Sequence, residues 1–328
     1  MSKWKRVGKS VILNAKIRNI LDWTTCVALW AASPPSKFFA RLGPARLPRS
    51  REKLKRMGIF PIRDHYHQPL FNDAHLTKPL SEVRHLPGID WRHRNQVELL
   101  KSLCYAQELK SMELLSPASN ETEFYMDNGA FESGDAEFFY SMLRFLKPRR
   151  LIEIGSGNST KIARNALLKN ALETGESCDH FCIEPYENPW LEQLGIKIIR
   201  EPVEMVGLDV FQGLEAGDML FIDSTHMIRP QGDVLFEYLQ LLPSLASGVY
   251  VHVHDIFSPR DYPDQWVRNN VMMWNEQYLL EATMGNQDRY EVVAGLNYLK
   301  HTEFDLLLAV CPYLTKKREP GSFYLRIR

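Results

Sequence analysis

Ionisable side chains follow two apolar stretches in the second half of the chain. Asp223 and His226 come after the run Met219–Ile222, and His254 and Asp255 end a later run of the same kind. Two carboxylates with imidazoles nearby could hold a divalent cation, and such an oxygen-rich set suits Mg²⁺ or Mn²⁺ better than zinc. Imidazole titrates near neutrality, so His226 could also remove a proton from a hydroxyl group.

A glycine turn follows an earlier apolar run. Gly155-Ser156-Gly157 leads into a helical pattern; glycines there let the backbone approach a ligand, and the N–H groups at the helix start favour a negative group. Glu184 ends the next predicted strand, where a carboxylate can hold both hydroxyls of a ribose. Thr160 stands where a dinucleotide fold would have its third glycine, which favours an adenosyl cofactor over a nicotinamide one.

Short apolar runs alternate with helical patterns from Arg150 onward, which predicts a doubly wound, mostly parallel α/β sheet. The carboxyl ends of parallel strands meet at one edge, so the residues above should share a crevice there. The last two strands are expected to form an antiparallel pair. The predicted strands are 151–154, 180–183, 196–199, 219–222, 248–253, 290–299 and 323–327; the predicted helices are 96–115, 135–146, 159–172, 190–194 (about one turn), 231–242 and 264–280.

Three regions are predicted along the chain. Residues 1–60 form a basic arm with an amphipathic helix, residues 61–124 a linker and helical cap, and residues 125–328 the catalytic domain. Six prolines between residues 33 and 70 disfavour long helices and predict an extended linker.

The net charge of zero hides a strong asymmetry. Residues 1–60 contain 14 Lys and Arg against Asp22 and Glu52, which leaves +12 there and −12 over the rest. Such an arm could meet an anionic membrane surface, a nucleic acid or the acidic body of the protein, or remain a solvated tail. Few aromatics are interleaved with the basic residues, so no nucleic acid is expected.

The predicted amphipathic helix has one apolar face, which could lie on a membrane or pack on the body or on a second copy in a homo-oligomer. The apolar run Ile20–Ala32 has 13 residues and contains Asp22, whereas a spanning helix needs about 20. No clean signal-peptidase site follows it. The residues on the apolar face are Leu13, Ile17, Ile20, Leu21, Thr24 and Ala28.

Composition places the chain among folded globular proteins. Hydrophobic residues make up 45% and charged residues 24%, which excludes collagen-like, wholly disordered and polytopic membrane classes. The five cysteines form no C-x-x-C pair, which indicates reduced thiols. We therefore expect a cytoplasmic protein, which could attach peripherally to the inner face of the membrane through the arm.

The run from Glu153 to Gly157 and the acid Glu184 resemble the first two motifs of class I S-adenosylmethionine-dependent methyltransferases. The resemblance covers about residues 125–328 and implies a Rossmann-like methyltransferase fold with S-adenosyl-L-methionine as cofactor. In that family the glycine loop contacts the methionine part of the cofactor and the second acid contacts the ribose. The predicted cofactor-binding residues are Glu153, Gly155, Ser156, Gly157, Glu184 and Asp223.

The later cluster is similar to the metal-assisted O-methyltransferases, which take metal ligands from the ends of the fourth and fifth strands. This implies Asp223, His254 and Asp255 as ligands of Mg²⁺ or another divalent cation. His254 stands where the metal-dependent members usually have Asp, Glu or Asn. A base three residues after the fourth-strand acid belongs to the same pattern, so the predicted catalytic residues are His226 and Asp223.

Residues 254–266 resemble the H-D-I-F-x-P-x-x-Y-P-x-x-W signature of bacterial methyltransferase family 24, and residues 131–137 (FESGDAE) precede the glycine loop as in that branch. The resemblance implies O-methylation of a small hydroxylated acceptor such as a sugar, phenol or natural product. Two other functions stay open: a non-haem iron oxygenase with His252 among its ligands, and a membrane-associated scaffold with a degenerate cofactor pocket.

Overall fold

The computed structural model describes residues 15–59, 61–62, 69–186 and 188–328. These residues form two compact units, one that ends at Thr77 and one that spans Lys78–Arg328. Across the described ranges, no helix combines the length and the apolar character needed to cross a membrane.

The N-terminal unit contains two helices, α1 (Ala15–Leu42) and α2 (Pro48–Met57), and a short 3-10 turn at Asp73–His75. The extended linker predicted from residue 33 was wrong, because α1 continues through Pro34 and Pro35. Each proline lacks one N–H donor, so the carbonyl four residues earlier loses its helical partner. The helix is exposed at both prolines, and water can satisfy those carbonyls. Leu13 of the predicted apolar face lies outside the described residues.

The second unit is built on one seven-stranded sheet in the order β3-β2-β1-β4-β5-β7-β6. β1 to β5 are parallel to one another, and β7 pairs antiparallel with both β5 and β6. The prediction of a mostly parallel sheet with an antiparallel C-terminal pair is confirmed. The strands are β1 (Arg150–Ile154), β2 (Asp179–Ile183), β3 (Lys197–Ile199), β4 (Met219–Ile222), β5 (Tyr250–Val253), β6 (Tyr290–Gly295) and β7 (Phe323–Ile327).

Helices connect and cover these strands. They are α3 (His93–Ser102), α4 (Ala106–Ser111), α5 (Asp135–Leu146), α6 (Asn158–Thr174), α7 (Asp233–Phe236), α8 (Leu242–Ser244), α9 (Glu276–Met284), α10 (Leu296–Thr302) and α11 (Phe304–Val310). A π-helical segment, Glu237–Leu241, joins α7 to α8, and a second one lies at Gln265–Asn269. Single 3-10 turns lie at Leu191–Leu194, Val203–Met205 and Leu208–Val210.

Three predicted elements differ from the structure. The helix predicted over 96–115 is divided into α3 and α4. The helix predicted over 264–280 is interrupted between Asn270 and Asn275, where Val271 has a positive φ of 54°. The strand predicted over 290–299 ends at Gly295 and becomes α10, because apolar residues alone do not distinguish a buried strand from a buried helix.

Apolar side chains fill both faces of the sheet. Along β4, Met219 and Phe221 belong to the core on one face, and Leu220 and Ile222 belong to the core on the other. Successive side chains of a strand point to opposite faces, so a strand covered on both sides has an unbroken apolar sequence. The polar residues at the strand ends are therefore the ones available for chemistry.

Candidate active site

The carboxyl ends of β1 and β4 come together at a glycine. Gly155 has a φ of +80°, and a Cβ built on it would lie 2.0 Å from the backbone oxygen of Asp223. Its N–H donates to the Ile183 carbonyl of β2, and the N–H of Asp223 donates to the Ile154 carbonyl of β1. Any side chain at position 155 would push β1 and β4 apart at the strand edge where ligands bind in such folds.

Glu184 faces the glycine loop. Its Oε2 accepts the Ser156 N–H at 3.1 Å, and its Oε1 accepts the Tyr186 N–H at 2.8 Å. Beside it a cavity of about 260 Å³ opens to solvent. The residues that line this cavity include Gly155, Ile183, Glu184, Val203, Asp223 and Ser224. Of the predicted cofactor-binding residues, Gly155, Glu184 and Asp223 are thus brought together.

Gly157 borders open space, since a Cβ built on it would have no atom within 4 Å. It immediately precedes α6, and its N–H donates to Thr160 Oγ1 at 3.1 Å. Neither Ser156 nor Gly157 lines the cavity itself. The open space beside Gly157 therefore leaves room for a ligand bound at the N-terminus of α6.

Glu153 lies behind the glycine loop and not in the cavity. It is fully buried, and its Oε2 accepts the hydroxyls of Ser159 and Thr160, both at 3.1 Å. Its Oε1 lies 2.5 Å from Nε2 of His180. Glu153 therefore ties the first turn of α6 to the middle of the sheet and has no direct path to a ligand.

His180 is a residue that sequence reasoning missed. It pairs with Leu151 in the register of β1 and β2, two residues along the strands from the pair Glu153 and Cys182 and therefore on the same face. The sequence does contain a signal for the pairing of His180 with Glu153, namely a histidine in an apolar strand next to a strand that carries an acid. It indicates a buried hydrogen-bonded pair beneath the loop.

Replacing His180 with Leu should destabilise the protein by about 3 kcal/mol, because the Glu153 carboxylate would lose its partner in the core. Urea unfolding followed by circular dichroism measures this loss. The double variant Glu153→Gln with His180→Leu should recover part of it, since no buried acid is then left without its imidazole partner. The double variant is compared with the single variants Glu153→Gln and His180→Leu. If its loss of stability equals the sum of the two single losses, Glu153 and His180 do not interact.

Asp223, His226 and Asp255 form a cluster in the mouth of the sheet. Nε2 of His226 lies 3.2 Å from Oδ1 of Asp223 and 3.5 Å from Oδ2 of Asp255. His226 and Asp255 have positive φ angles of 59° and 58°, a backbone region that residues other than glycine rarely adopt. These two turns aim both side chains back toward the end of β4.

The far side of the His226 ring is held by a buried acid, Glu276. Nδ1 of His226 lies 2.7 Å from Oε2 of Glu276, and the Tyr238 hydroxyl donates to Oε1 of Glu276 at 2.9 Å. The backbone carbonyl of His226 accepts the N–H groups of Asn275 and Glu276. Sequence reasoning missed Glu276, which lies 50 residues further along the chain.

Charges around His226 determine its protonation. Burial alone would lower its pKa, but hydrogen bonds to Asp223 and Glu276 raise the pKa well above the usual value. Burial would likewise raise the pKa of Asp223, but the positive field of His254 and the hydrogen bond from His226 lower it. For Asp255 burial is the larger effect and raises the pKa to about 6, although His254 and His226 oppose it.

His254 also lies beside the two aspartates. Its Nδ1 is 3.5 Å from Oδ1 of Asp223 and 3.4 Å from Oδ1 of Asp255. Burial would lower its pKa, but the two carboxylates, Asp255 first, raise it to about 10. Both imidazoles therefore lie within 3.5 Å of a carboxylate oxygen of each aspartate.

Among the described residues, the group in this mouth whose ligand atoms all lie within 4.8 Å of one another is Asp223, His226 and Asp255. The predicted ligand set had His254 in place of His226. Two carboxylates and one imidazole fit a divalent cation such as Mg²⁺ or Mn²⁺. Their spacing is compatible with a shared ion.

His252 takes no part in this cluster. It is fully buried, with its ring centroid 4.5 Å from that of Phe221 and 4.4 Å from that of Tyr324. Desolvation lowers its pKa well below the usual value, so the ring is neutral. An iron site that used His252 would need it to leave this aromatic packing.

An aromatic wall stands next to His226. The Trp274 ring centroid lies 4.2 Å from that of His226, and Trp266 contacts Trp274 and Phe257 at 5.2 and 5.1 Å. Trp266 and Trp274 are both half-buried. The signature loop thus supplies Phe257 and Trp266 as packing beneath Trp274, whose partly open face borders the cluster.

Comparisons with known proteins indicate the family of this chain. Residues 152–256 match the profile of the methyltransferase domain of family 24. An uncharacterized protein of Archaeoglobus fulgidus is 30% identical over 176 residues, which cover 48% of this chain and 74% of that protein. The chain therefore belongs to the class I S-adenosylmethionine-dependent methyltransferases, in methyltransferase family 24.

Many solved structures are also similar to this chain, two of them O-methyltransferases with low sequence identity. The O-methyltransferase TomG from Streptomyces achromogenes, solved with S-adenosylmethionine, is 14% identical, with 70% of this chain and 89% of that chain covered and a TM-score of 0.37. An O-methyltransferase described as putative, from Klebsiella pneumoniae, is 15% identical, with 73% and 97% covered and a TM-score of 0.38.

Proposed function

We propose that the protein transfers the methyl group of S-adenosylmethionine to a hydroxyl oxygen of a small acceptor such as a sugar, a phenol or a natural product. The observation that carries the proposal is that Asp223 belongs both to the cavity with Gly155 and Glu184 and to the cluster with His226. Donor and acceptor sites are therefore adjacent, as direct transfer requires.

The donor half of the site fits an adenosyl sulfonium compound. The Glu184 carboxylate faces the cavity and would hold the ribose hydroxyls. Open space at Gly157, just before α6, leaves room for the carboxylate of the methionine part at the helix start. When bound, this cofactor supplies an electrophilic methyl group on a sulfonium ion.

His226 is the proposed base. With Nδ1 held by Glu276, Nε2 is the ring atom that points to Asp223 and Asp255 and can accept the hydroxyl proton. When bound, the cofactor would supply its methyl group to the acceptor oxygen and leave as S-adenosylhomocysteine, and His226 would hold the hydroxyl proton. Glu276 stabilises the resulting imidazolium.

A divalent cation would fit between the two aspartates. Asp223 and Asp255 would hold it, and His254 is the imidazole that could complete the set while His226 remains available as the base. Such a cation would lower the pKa of the acceptor hydroxyl when bound. Trp274 would offer a flat surface to the acceptor beside the same atoms.

Removal of divalent cations should lower the methyl-transfer rate by about 10- to 100-fold. The measurement is turnover after treatment with EDTA and after addition of Mg²⁺ or Mn²⁺ in excess. Recovery with added ion is expected, and the Asp255→Asn variant should need more ion for half-maximal rate. An unchanged rate after chelation would assign hydroxyl activation to His226 alone.

The reaction itself is tested with S-adenosylmethionine carrying a labelled methyl group and a panel of sugars, phenols and their deoxy or amino analogues. We expect the label in an ether bond of a hydroxylated acceptor, and no transfer to the deoxy analogue. Label on nitrogen, on carbon or in a carboxyl ester would contradict the proposed O-methylation of a hydroxyl group.

A further inference from the structure

The first helix exposes an unusual amount of apolar surface. Trp23 is 71% exposed, Trp30 is 80% exposed, and Ile20 and Leu29 are 64% and 66% exposed. Trp23 and Trp30 are seven residues apart in α1, so they lie on the same side of the helix. Exposed apolar surface of this extent marks a site that binds another protein or a membrane.

The same unit carries a strong positive charge. Residues 15–59 contain ten Lys and Arg against the two acids Asp22 and Glu52. α2 has the sequence PRSREKLKRM and no buried residue, so its basic side chains face solvent. The ten basic residues are Lys16, Arg18, Lys37, Arg41, Arg46, Arg49, Arg51, Lys53, Lys55 and Arg56.

We infer that the N-terminal unit binds to the surface of an anionic phospholipid bilayer, with the apolar side chains of α1 in the interface and the basic residues on the lipid phosphates. An exposed apolar helix with tryptophans and a nearby cluster of Lys and Arg has the composition that such a surface binds. The inference is independent of the reaction proposed above.

Two features favour binding at a bilayer surface over pairing with a second copy of the chain or crossing the membrane. A second copy of the same segment would bring two stretches of net +8 together, which like-charge repulsion opposes, whereas an anionic surface complements that charge. Within the described residues no helix qualifies as a membrane span, so α1 would lie in the plane of the interface and not across it.

The test uses the full-length protein and sedimentation with vesicles of phosphatidylcholine, with or without about one-third phosphatidylglycerol. We expect binding to the anionic vesicles at least about tenfold tighter than to the neutral ones, and release as salt is raised. Equal binding to both vesicle types, or no binding, overturns the inference. The salt and lipid dependence needs no variant.

Two variants separate the apolar and the charged contributions. Trp23→Ser with Trp30→Ser should weaken binding to anionic vesicles by tenfold or more, because the interfacial side chains are lost. Arg49→Gln with Lys53→Gln should weaken it about 30-fold, since each surface cation contributes about fivefold.

A matched control has the same kinds of change in the methyltransferase unit, where Leu172 is 85% exposed and the Arg149 side chain 84% exposed. Leu172→Ser with Arg149→Gln should leave vesicle binding unchanged. Light scattering is measured in parallel. If the protein is a dimer that dissociates in the Trp23→Ser, Trp30→Ser variant and does not bind lipid, α1 pairs with a second copy and the inference is overturned. Equal losses of vesicle binding in the control variant would overturn it as well.

Discussion

Substitution of Gly155 by Ala is expected to weaken the binding of S-adenosylhomocysteine by at least about 100-fold, or about 2.7 kcal/mol. The added Cβ would lie 2.0 Å from the Asp223 carbonyl oxygen, so the ends of β1 and β4 must separate. That movement displaces the loop and Asp223 together, and both border the proposed donor cavity. Calorimetric titration with S-adenosylhomocysteine measures the change, and the larger Gly155→Arg should abolish binding.

Gly175 provides the matched control. It has nearly the same backbone conformation, with a φ of +78°, but a Cβ built on it would have no atom within 4 Å. Gly175→Ala should therefore cost about 1 kcal/mol of stability through backbone strain alone and leave the affinity for S-adenosylhomocysteine unchanged. Wild-type affinity in a folded Gly155→Ala protein would contradict the proposed donor site.

Loss of the His226 imidazole should remove turnover while donor binding remains. We expect His226→Ala to lower kcat by about 10²- to 10⁴-fold and to change the dissociation constant of S-adenosylhomocysteine by less than about twofold. His226 does not line the donor cavity, which is the reason for the difference. Parallel losses of affinity and turnover in this variant would reject its role as the base.

The pH dependence of the rate tests the role of Glu276. Because the pKa of His226 is raised, the ring is protonated below that value and cannot accept a proton, so the rate should rise with pH through it. Glu276→Gln removes a negative charge that raises this pKa. The rising limb of the plot of rate against pH should therefore move to lower pH. A limb that stays in place or moves to higher pH would show that another group is the base.

Tyr238→Phe is the control for Glu276→Gln. It removes the hydroxyl that donates to Oε1 of Glu276 at 2.9 Å but leaves the negative charge in place. The rising limb should therefore move less than in Glu276→Gln. A comparable shift in both variants would indicate that packing around α9, and not the charge of Glu276, sets the position of the limb.

The sequence predicted the elements whose patterns are local. β4 and α5 have the bounds predicted for them, because an unbroken apolar run and a regular helical repeat are visible within a dozen residues. Placing Asp223 at the mouth of the sheet followed from the end of β4 alone. The meeting of Gly155 and Asp223 was expected in outline, but the 2.0 Å approach depends on the register of β1 and β4.

Contacts between distant parts of the chain could not be predicted in this way. Glu276 reaches His226 because α9 begins where the chain returns to β4, and no spacing pattern links the two positions. Glu153 resembles a cofactor-contacting acid in sequence, yet its side chain faces inward to Ser159, Thr160 and His180. Strand alternation decides that direction, and only the assembled sheet shows what occupies the inner side.

The bonds from Asn275 and Glu276 to the carbonyl of His226 have an evolutionary consequence. The segment that carries Trp274, the proposed wall for the acceptor, also carries Glu276, the acid that contacts the proposed base His226. Insertions or deletions in this segment could change which acceptors bind, but they would alter the proton affinity of His226 at the same time. Diversification of this enzyme should therefore proceed by side-chain replacement within a segment of constant length.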